Sequence, residues 1–125
     1  MKQDAITNYK QYWDEKRREE EAARGKLRLE ALKTADDLKN ILVKEFSVKK
    51  VILFGSALDE ARFRLDSDLD LAVEGLTSEL YFKALGRLIM ASPFKVDLKP
   101  VEDAGELLKS RIARGRVLYE QGKNS

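Results

Sequence analysis

The sequence predicts an α+β fold, in which helices cover a small mixed β-sheet and a long helical extension precedes the sheet. Three observations support this prediction. Residues 1–46 are dominated by Glu, Lys, Arg, Ala and Leu and contain no Pro, a composition that favours helix. Three short segments between residues 51 and 98 have strand patterns. Helical patterns between and after them give the order helix, strand, short helix, strand, helix, strand, helix.

Composition narrows the chemistry that the chain can perform. A length of 125 residues fits one domain, and 43% hydrophobic residues are ordinary for a globular protein. The chain contains no Cys and no His, so zinc catalysis, a Cys nucleophile and a His general base are excluded. Any bound metal must use oxygen ligands. No apolar run approaches the roughly 20 residues of a membrane span, and the N-terminus does not resemble a secretory signal, so we expect a cytoplasmic location.

Charge is distributed unevenly along the chain. The net charge is only +2, which is too small to indicate nucleic-acid binding by bulk electrostatics. Residues 51–100 contain 6 basic and 8 acidic residues, and this acidic middle part includes Asp68, Asp70 and Asp97.

The N-terminal helical region has two halves of different character. Gly25 either separates two helices or is tolerated within one helix at a cost of about 1 kcal/mol relative to Ala. In the first half, Ile6, Tyr9 and Trp13 share a face, and a charged run typical of a solvated helix follows. We therefore divide the chain into an N-terminal helical extension, residues 1–30, and a core domain, residues 31–122. The second half has one apolar stripe at helical spacing, formed by Ala31, Ala35, Leu38, Ile41, Leu42 and Phe46.

Three segments are predicted as strands. The apolar run from Val51 to Phe54 ends at Gly55, which indicates a short buried strand. Residues 68–74 alternate between apolar and polar side chains, as expected for a half-buried strand. Residues 94–98 alternate in the same way and predict the third strand.

Two further helices are predicted around the third strand. The first begins at Thr77 or Ser78, either of which can cap it, and ends near Met90. The second is capped by Asp103, and its apolar residues are Leu107, Leu108, Ile112 and Leu118.

Gly55 and Ser56 follow directly after the first predicted strand. Gly lets the backbone turn tightly and approach a ligand closely. Residues 57–61 look helical, so their free N–H groups would point at an anion held by Ser56. The alternative is an ordinary turn, so the pair indicates a phosphate site only in combination with other residues.

Asp68 and Asp70 are candidate metal ligands. Because they lie two residues apart on a strand, both carboxylates project from one face, about 6.6–6.8 Å apart at the backbone, while leucines occupy the other face. Two carboxylates this close repel each other unless a cation or a proton is present. Mg²⁺, which binds carboxylates together with substrate phosphates, is the expected cation.

Asp97 is a third candidate ligand. It joins Asp68 and Asp70 if its strand lies beside theirs. Three carboxylates can hold two divalent ions roughly 3.5–4 Å apart, an arrangement suited to phosphoryl or nucleotidyl transfer. Asp97 would also be the general base for an acceptor hydroxyl, since no His is present. Lys95 and Lys99 share the face of Asp97 and are interpreted as surface lysines.

A calcium-binding loop is the competing interpretation of this acidic run. Asp66, Asp68 and Asp70 have the spacing that begins an EF-hand. Leu71 stands where that loop requires Gly, and Thr77 stands where it requires Glu. The EF-hand is therefore rejected, and Asp66 fits a loop or cap position. The Walker A and G-x-G-x-x-G phosphate motifs are also absent.

Together, the segments LFGS, DSDLDLAV and KVDL resemble the DNA polymerase β nucleotidyltransferase superfamily and, within it, the minimal nucleotidyltransferase (MNT) domains. That family carries Gly-Ser, then about ten residues, Asp-x-Asp, and a third Asp on a later strand. Here eleven residues separate Ser56 from Asp68. The resemblance covers roughly residues 36–120, and residues 112–120 resemble the C-terminal helix common in this branch.

The resemblance implies a polymerase β-like fold and a nucleotidyltransferase that uses ATP. An acceptor hydroxyl would attack the α-phosphate and release pyrophosphate. The nucleotide-binding residues would be Gly55, Ser56 and Ser67. The catalytic residues, which would also coordinate two Mg²⁺ ions, would be Asp68, Asp70 and Asp97.

Three hypotheses about the acceptor stay open. By resemblance, stand-alone domains of this size pair with a HEPN-type toxin and add AMP to one of its tyrosines, as the antitoxin of a HEPN/MNT pair. A neighbouring all-helical protein with an Arg-x-x-x-x-His motif would favour this reading. The alternatives are transfer to a small molecule such as an aminoglycoside and a non-catalytic module that binds its partner by contact alone. The N-terminal helix would pack on the core, form an oligomer or bind a partner.

Overall fold

The computed structural model describes the backbone of residues 2–122 and the side chains from residue 5 onward. The helices are α1 (Lys2–Phe46), α2 (Ser78–Ala91) and α3 (Glu106–Ala113). The strands are β1 (Lys50–Phe54), β2 (Asp68–Glu74), β3 (Lys95–Pro100) and β4 (Arg116–Glu120). Two short 3₁₀ helices, Gly55–Leu58 and Val101–Asp103, follow β1 and β3.

The four strands form one mixed sheet in the order β3-β2-β1-β4. β1 pairs antiparallel with β2 and β4, whereas β2 pairs parallel with β3. A parallel pair needs a crossover connection, and α2 supplies it between β2 and β3. The predicted small mixed sheet covered by helices is confirmed, with one strand more than the sequence indicated.

The main core lies between the sheet and helices α1 and α2. The alternation of β2 turns Leu69, Leu71 and Val73 into this core, where they are fully buried. The predicted apolar stripe of α1 covers them. Its fully buried members are Ala31, Ala35, Leu38 and Leu42.

The opposite face of the sheet is covered by α3. Ile112 of this helix packs in a second, smaller cluster with Ile52, Phe54 and Ala72. Because Asp68 and Asp70 project from the same face of β2 as Ala72, α3 lies beside the two carboxylates. This placement brings residues near the C-terminal end of α3 to the candidate site.

α1 is one continuous helix of 45 residues. Gly25 lies within it, so the helix is not divided at this position. The helix also continues through residue 30, where we placed the boundary of the extension, and that division stays a prediction. Within the part of the chain that the structure describes, no helix is both long and apolar enough to cross a membrane.

The predicted C-terminal helix is wrong in its extent. α3 begins after Gly105 and ends at Ala113, and Asp103 belongs to the preceding 3₁₀ helix instead of capping α3. Residues 116–120, including Leu118, form the edge strand β4. The free edge of β1 supplies backbone partners for this segment, and the turn at Gly115 brings it there. A side chain at Gly115 would press on the backbone of β1.

Gly115→Ala tests this topology. In a continuous helix, the substitution would stabilise the protein by about 1 kcal/mol. In the observed turn, the added Cβ would lie 2.7 Å from the Leu53 carbonyl oxygen and 2.8 Å from Cγ2 of Ile52. We therefore expect the free energy of unfolding to fall by about 1–3 kcal/mol, as measured by urea denaturation.

The matched control is Gly86→Ala in α2, where an added Cβ meets nothing within 4 Å. This variant should gain up to about 1 kcal/mol in the same measurement. A gain of that size for Gly115→Ala would contradict the strand assignment of β4.

Candidate active site

Asp68, Asp70 and Asp97 meet at one end of the sheet, and we call them the carboxylate cluster. Asp68 and Asp70 project from the face of β2 opposite to the buried Leu69. The parallel register of β2 and β3 pairs Asp70 directly with Asp97. One carboxylate oxygen of each residue lies within 4.8 Å of the other two. The sequence predicted that Asp97 would join Asp68 and Asp70 if its strand lay beside theirs. The two strands are neighbours, and the three carboxylates converge.

Gly55 lies beside the carboxylate cluster, because the antiparallel register of β1 and β2 places Phe54 opposite Asp70. The φ angle of Gly55 is 82°, in the region that favours glycine. A Cβ at this position would overlap Oδ2 of Asp70. Both constraints require glycine. The chain then forms the 3₁₀ helix Gly55–Leu58 in place of the helix expected over residues 57–61.

A cleft of about 550 Å³ opens between the turn at Gly55 and the carboxylate cluster, and we call it the carboxylate cleft. It combines acidic side chains with three arginines. Arginines contact phosphate oxygens well, and carboxylates bind the divalent cation that accompanies a triphosphate. The lining residues are Gly55, Ser56, Leu58, Arg62, Ser67, Asp68, Asp70, Arg111 and Arg114.

The three arginines were not among the predicted site residues. The Arg111 guanidinium lies 5.3 Å from the ring centre of Phe54, beneath the cleft. Arg114 follows at the C-terminal end of α3, and Arg62 lies in the loop before β2. Local sequence could not place α3 against β1. The available signal was the spacing of Arg111 and Arg114, because residues three apart share one side of a helix.

Both serines predicted to bind nucleotide line the carboxylate cleft. The Ser67 hydroxyl accepts a hydrogen bond of 2.9 Å from the backbone N–H of Arg64, and the Ser67 N–H donates one of 3.0 Å to the Arg64 carbonyl. These bonds hold the loop that leads into β2. The Ser56 carbonyl accepts a bond of 2.9 Å from the N–H of Asp59, which closes the turn after β1. A contact of either serine with a nucleotide stays a prediction.

The pKa of Asp70 is raised from 3.8 to about 6. Burial is the main cause, and the negative charges of Asp97 and Asp68 raise the pKa further, while Arg111 and Lys99 lower it. Desolvation and like charges both disfavour the ionised carboxylate. The cluster is therefore short of positive charge, which a divalent cation would supply.

The donor atoms of the carboxylate cluster fit Mg²⁺, which prefers carboxylate oxygens and keeps positions for phosphate and water. Among the described residues, this is the one group of three acidic side chains close enough to share an ion. A larger cleft of about 670 Å³ lies at the other end of β2, beside Gly75 and the start of α2. It contains no such cluster, so its size does not make it the better candidate for metal-dependent chemistry.

The fold and the carboxylate cleft are those expected of a nucleotidyltransferase. The model of the polymerase beta nucleotidyltransferase family matches residues 36–124, which is most of the chain. The chain therefore belongs to this family, and the polymerase β-like fold implied by its motifs is confirmed. No curated protein matches the chain significantly.

Solved toxin–antitoxin complexes contain chains of similar fold. A complex with AMP-PNP gives 22% identity and a TM-score of 0.58, covering 70% of this chain and 74% of that chain. The MntA–HepT complex gives 21% identity and a TM-score of 0.55, with 70% of each chain covered. The complex of the tri-AMPylated Shewanella oneidensis HEPN toxin with MNT antitoxin gives 21% identity and a TM-score of 0.56, with 72% of each chain covered. At identities of 21–22%, this structural similarity establishes only that the folds are alike.

The raised pKa of Asp70 predicts how stability depends on pH in metal-free protein. The pKa of Asp70 is about 6 in the folded state and 3.8 in the unfolded state. Between these two pH values, the folded state therefore binds more protons than the unfolded state. The free energy of unfolding should therefore fall as pH rises from about 4 to about 6. Relative to Asp70→Asn, the fall should be roughly 1 kcal/mol once solvent screening of this partly exposed side chain is allowed for.

Urea unfolding in the presence of EDTA measures this difference. Asp66→Asn, at an exposed loop position, is the matched control and should keep the wild-type pH profile. A constant difference between the wild type and Asp70→Asn from pH 4 to pH 7 would contradict the prediction.

Proposed function

We propose that this chain transfers AMP from ATP to a hydroxyl of a protein acceptor, and that it acts on a HEPN-type toxin as its antitoxin. The observation that carries the proposal is the convergence of Asp68, Asp70 and Asp97 beside the turn at Gly55. Family membership supports nucleotidyl transfer. The similar folds found in complexes with AMP-PNP and with an AMPylated HEPN toxin support ATP as donor and a protein as acceptor.

The carboxylate cluster would hold Mg²⁺, since its three oxygen donors match that ion. When bound, Mg²⁺ would neutralise phosphate charge and polarise the phosphate oxygens. Gly55 leaves room for the Asp70 carboxylate beside the turn. Ser56 lies next to it on the cleft wall, where it would contact a phosphate. Arg111 and Arg114 would contact further phosphate oxygens from the side of α3.

In the transfer, the acceptor oxygen forms a bond to the α-phosphorus while the bond from that phosphorus to the bridging oxygen breaks and pyrophosphate leaves. The proton of the acceptor hydroxyl must go to a base. Asp97 would take this role, because it lies in the carboxylate cluster and the chain contains no His.

The openness of the cleft supports a macromolecular acceptor. Its walls come from two loops, β2 and α3, and no helix or strand of residues 2–122 closes over it. A small acceptor would need further walls to be held in place. A protein acceptor brings its own surface, which would complete the pocket around the reacting hydroxyl.

Incubation of the chain with ATP, Mg²⁺ and a HEPN-type protein tests the proposal. We expect the mass of that protein to increase by one or more adenylyl groups on tyrosine, as measured by mass spectrometry. Asp68→Asn combined with Asp70→Asn should reduce the rate by a factor on the order of 10³ or more, because metal binding contributes several kcal/mol to such a transition state.

Asp66→Asn, which changes an exposed carboxylate near the cluster, is the matched control and should transfer at the wild-type rate. If the double variant still neutralises the HEPN-type protein, and no adenylyl group is found on it, the chain works by contact alone and the catalytic proposal fails.

Arg111→Ala should weaken ATP binding, because it removes a guanidinium from the cleft wall. A hydrogen bond to a charged group contributes about 1.5–3 kcal/mol, so the Kd of MgATP should rise roughly 10- to 100-fold in calorimetric titration. Lys109→Ala removes an exposed charge from the same helix outside the cleft and should leave the Kd unchanged. An unchanged Kd for Arg111→Ala would exclude Arg111 from the nucleotide site.

A further inference from the structure

Residues 5–23 of α1 project from the domain, and we call them the arm. Their side chains are exposed, apart from the half-buried Asp14. At the base of the arm, Glu21 lines a shallow cavity together with Glu60 and Ala61. Beyond the arm, Nε of Arg28 donates a hydrogen bond of 3.0 Å to the Ala57 carbonyl, and Gly25 lies against Glu60. Nineteen helical residues extend about 28 Å, so the arm is about as long as a small domain is wide.

The arm leaves the domain at the rim of the carboxylate cleft. Residues 58–62 separate the arm from the cleft. Leu58 and Arg62 line the cleft, whereas Glu60 and Ala61 face the base of the arm. A molecule bound at the mouth of the cleft therefore lies next to the arm.

Ile6 and Trp13 of the arm point toward the side on which the domain lies. Trp13 precedes the buried Ala31 by 18 residues, which is five turns of 3.6 residues. Ile6 precedes the buried Leu42 by 36 residues, which is ten turns. Because Ala31 and Leu42 face the sheet, Ile6 and Trp13 lie on the same side of the helix, beyond the end of the sheet that holds the carboxylate cluster.

Ile6, Tyr9, Tyr12 and Trp13 form an exposed aromatic patch on the arm. Their exposed fractions are 67%, 67%, 57% and 44%. The rings of Tyr9 and Tyr12 contact Trp13 edge-on, with centroid distances of 6.1 and 5.4 Å. Nζ of Lys16 lies 5.4 Å from the Trp13 ring centre. Clustered apolar groups of this kind on a solvated helix mark an interaction surface.

The area of the aromatic patch indicates what kind of partner it fits. Three aromatic side chains of about 200 Å² each, roughly half exposed, offer about 300 Å². A stable interface needs about 800 Å² per partner. A second copy that met the arm alone would bury too little. A protein that inserts a hydroxyl into the carboxylate cleft would contact the cleft rim as well, and would therefore bury more area than the arm alone offers.

We propose that the aromatic patch is a docking site for the protein acceptor, which binds the arm and the cleft rim at the same time. The patch lies between about 17 and 27 Å from the base of the arm, within reach of a partner about 30 Å across. The partner would present an apolar surface beside its reacting hydroxyl. This inference rests on the proposed function, because the acceptor is the molecule that brings the two surfaces together.

The test measures binding separately from transfer. The chain carrying Asp68→Asn and Asp70→Asn is titrated calorimetrically with a HEPN-type protein. Adding Tyr9→Ser and Trp13→Ser should raise the Kd at least tenfold, since aromatic anchors dominate interface affinity. Adding Gln11→Ser and Glu15→Ser instead, on the opposite side of the arm, should leave the Kd unchanged. Helical content by circular dichroism should be the same in both. With the carboxylates intact, the Kd of MgATP should also be the same for the two pairs of substitutions.

The transfer assay with intact carboxylates supplies the second readout. The Tyr9→Ser/Trp13→Ser variant should show a higher KM for the acceptor and an unchanged kcat. If the acceptor binds through the patch but receives no adenylyl group, the proposed function fails and the docking inference holds. An unchanged Kd in the patch variant, or no complex at all, overturns the inference. The inference is also overturned if sedimentation shows that the patch substitutions dissociate a dimer of this chain without changing the Kd for the acceptor.

Discussion

The parallel pairing of β2 with β3 is the constraint on which the candidate site depends. Leu71 and Leu98 are paired in this register, and both are buried. The same register sets Asp97 beside Asp70, and a shift of one residue would turn Asp97 to the other face of the sheet. Apolar packing thus holds like charges together against their repulsion. Burial is the main cause of the raised pKa of Asp70, and the repulsion by Asp97 and Asp68 raises it further.

The two faces of the sheet serve different purposes. One face is covered by α1 and α2 over a continuous apolar core, which supplies most of the buried area. The other face is covered only partly, by α3 and by Val101 and Ala104 of the segment before it. The carboxylates therefore stay accessible at the uncovered end, next to the arginines of α3. An open, charged cleft supported by a rigid apolar layer is a suitable base for phosphate chemistry.

Family membership and the proposed docking of an acceptor depend on different parts of the chain. The family match begins at residue 36, so the arm lies outside it. Residues 36–124 contain the fold and the carboxylate cluster, features that account for nucleotidyl transfer in general. Function within a shared fold is set by the surfaces added to it. The arm leaves the domain at the cleft rim, and it is the surface to which we assign acceptor docking.

The sequence by itself determined those features that depend on neighbours along the chain. Alternation placed Asp68 and Asp70 on one face of a strand, and Gly55 after an apolar run indicated the tight turn. The convergence of Asp97 was only conditional, because strand order is a non-local property. The strand at residues 116–120 and the place of Arg111 in the cleft were decided only by the tertiary structure. The helix-compatible segment 116–120 becomes a strand because β1 has a free edge to pair with. That pairing brings α3 and Arg111 to the cleft.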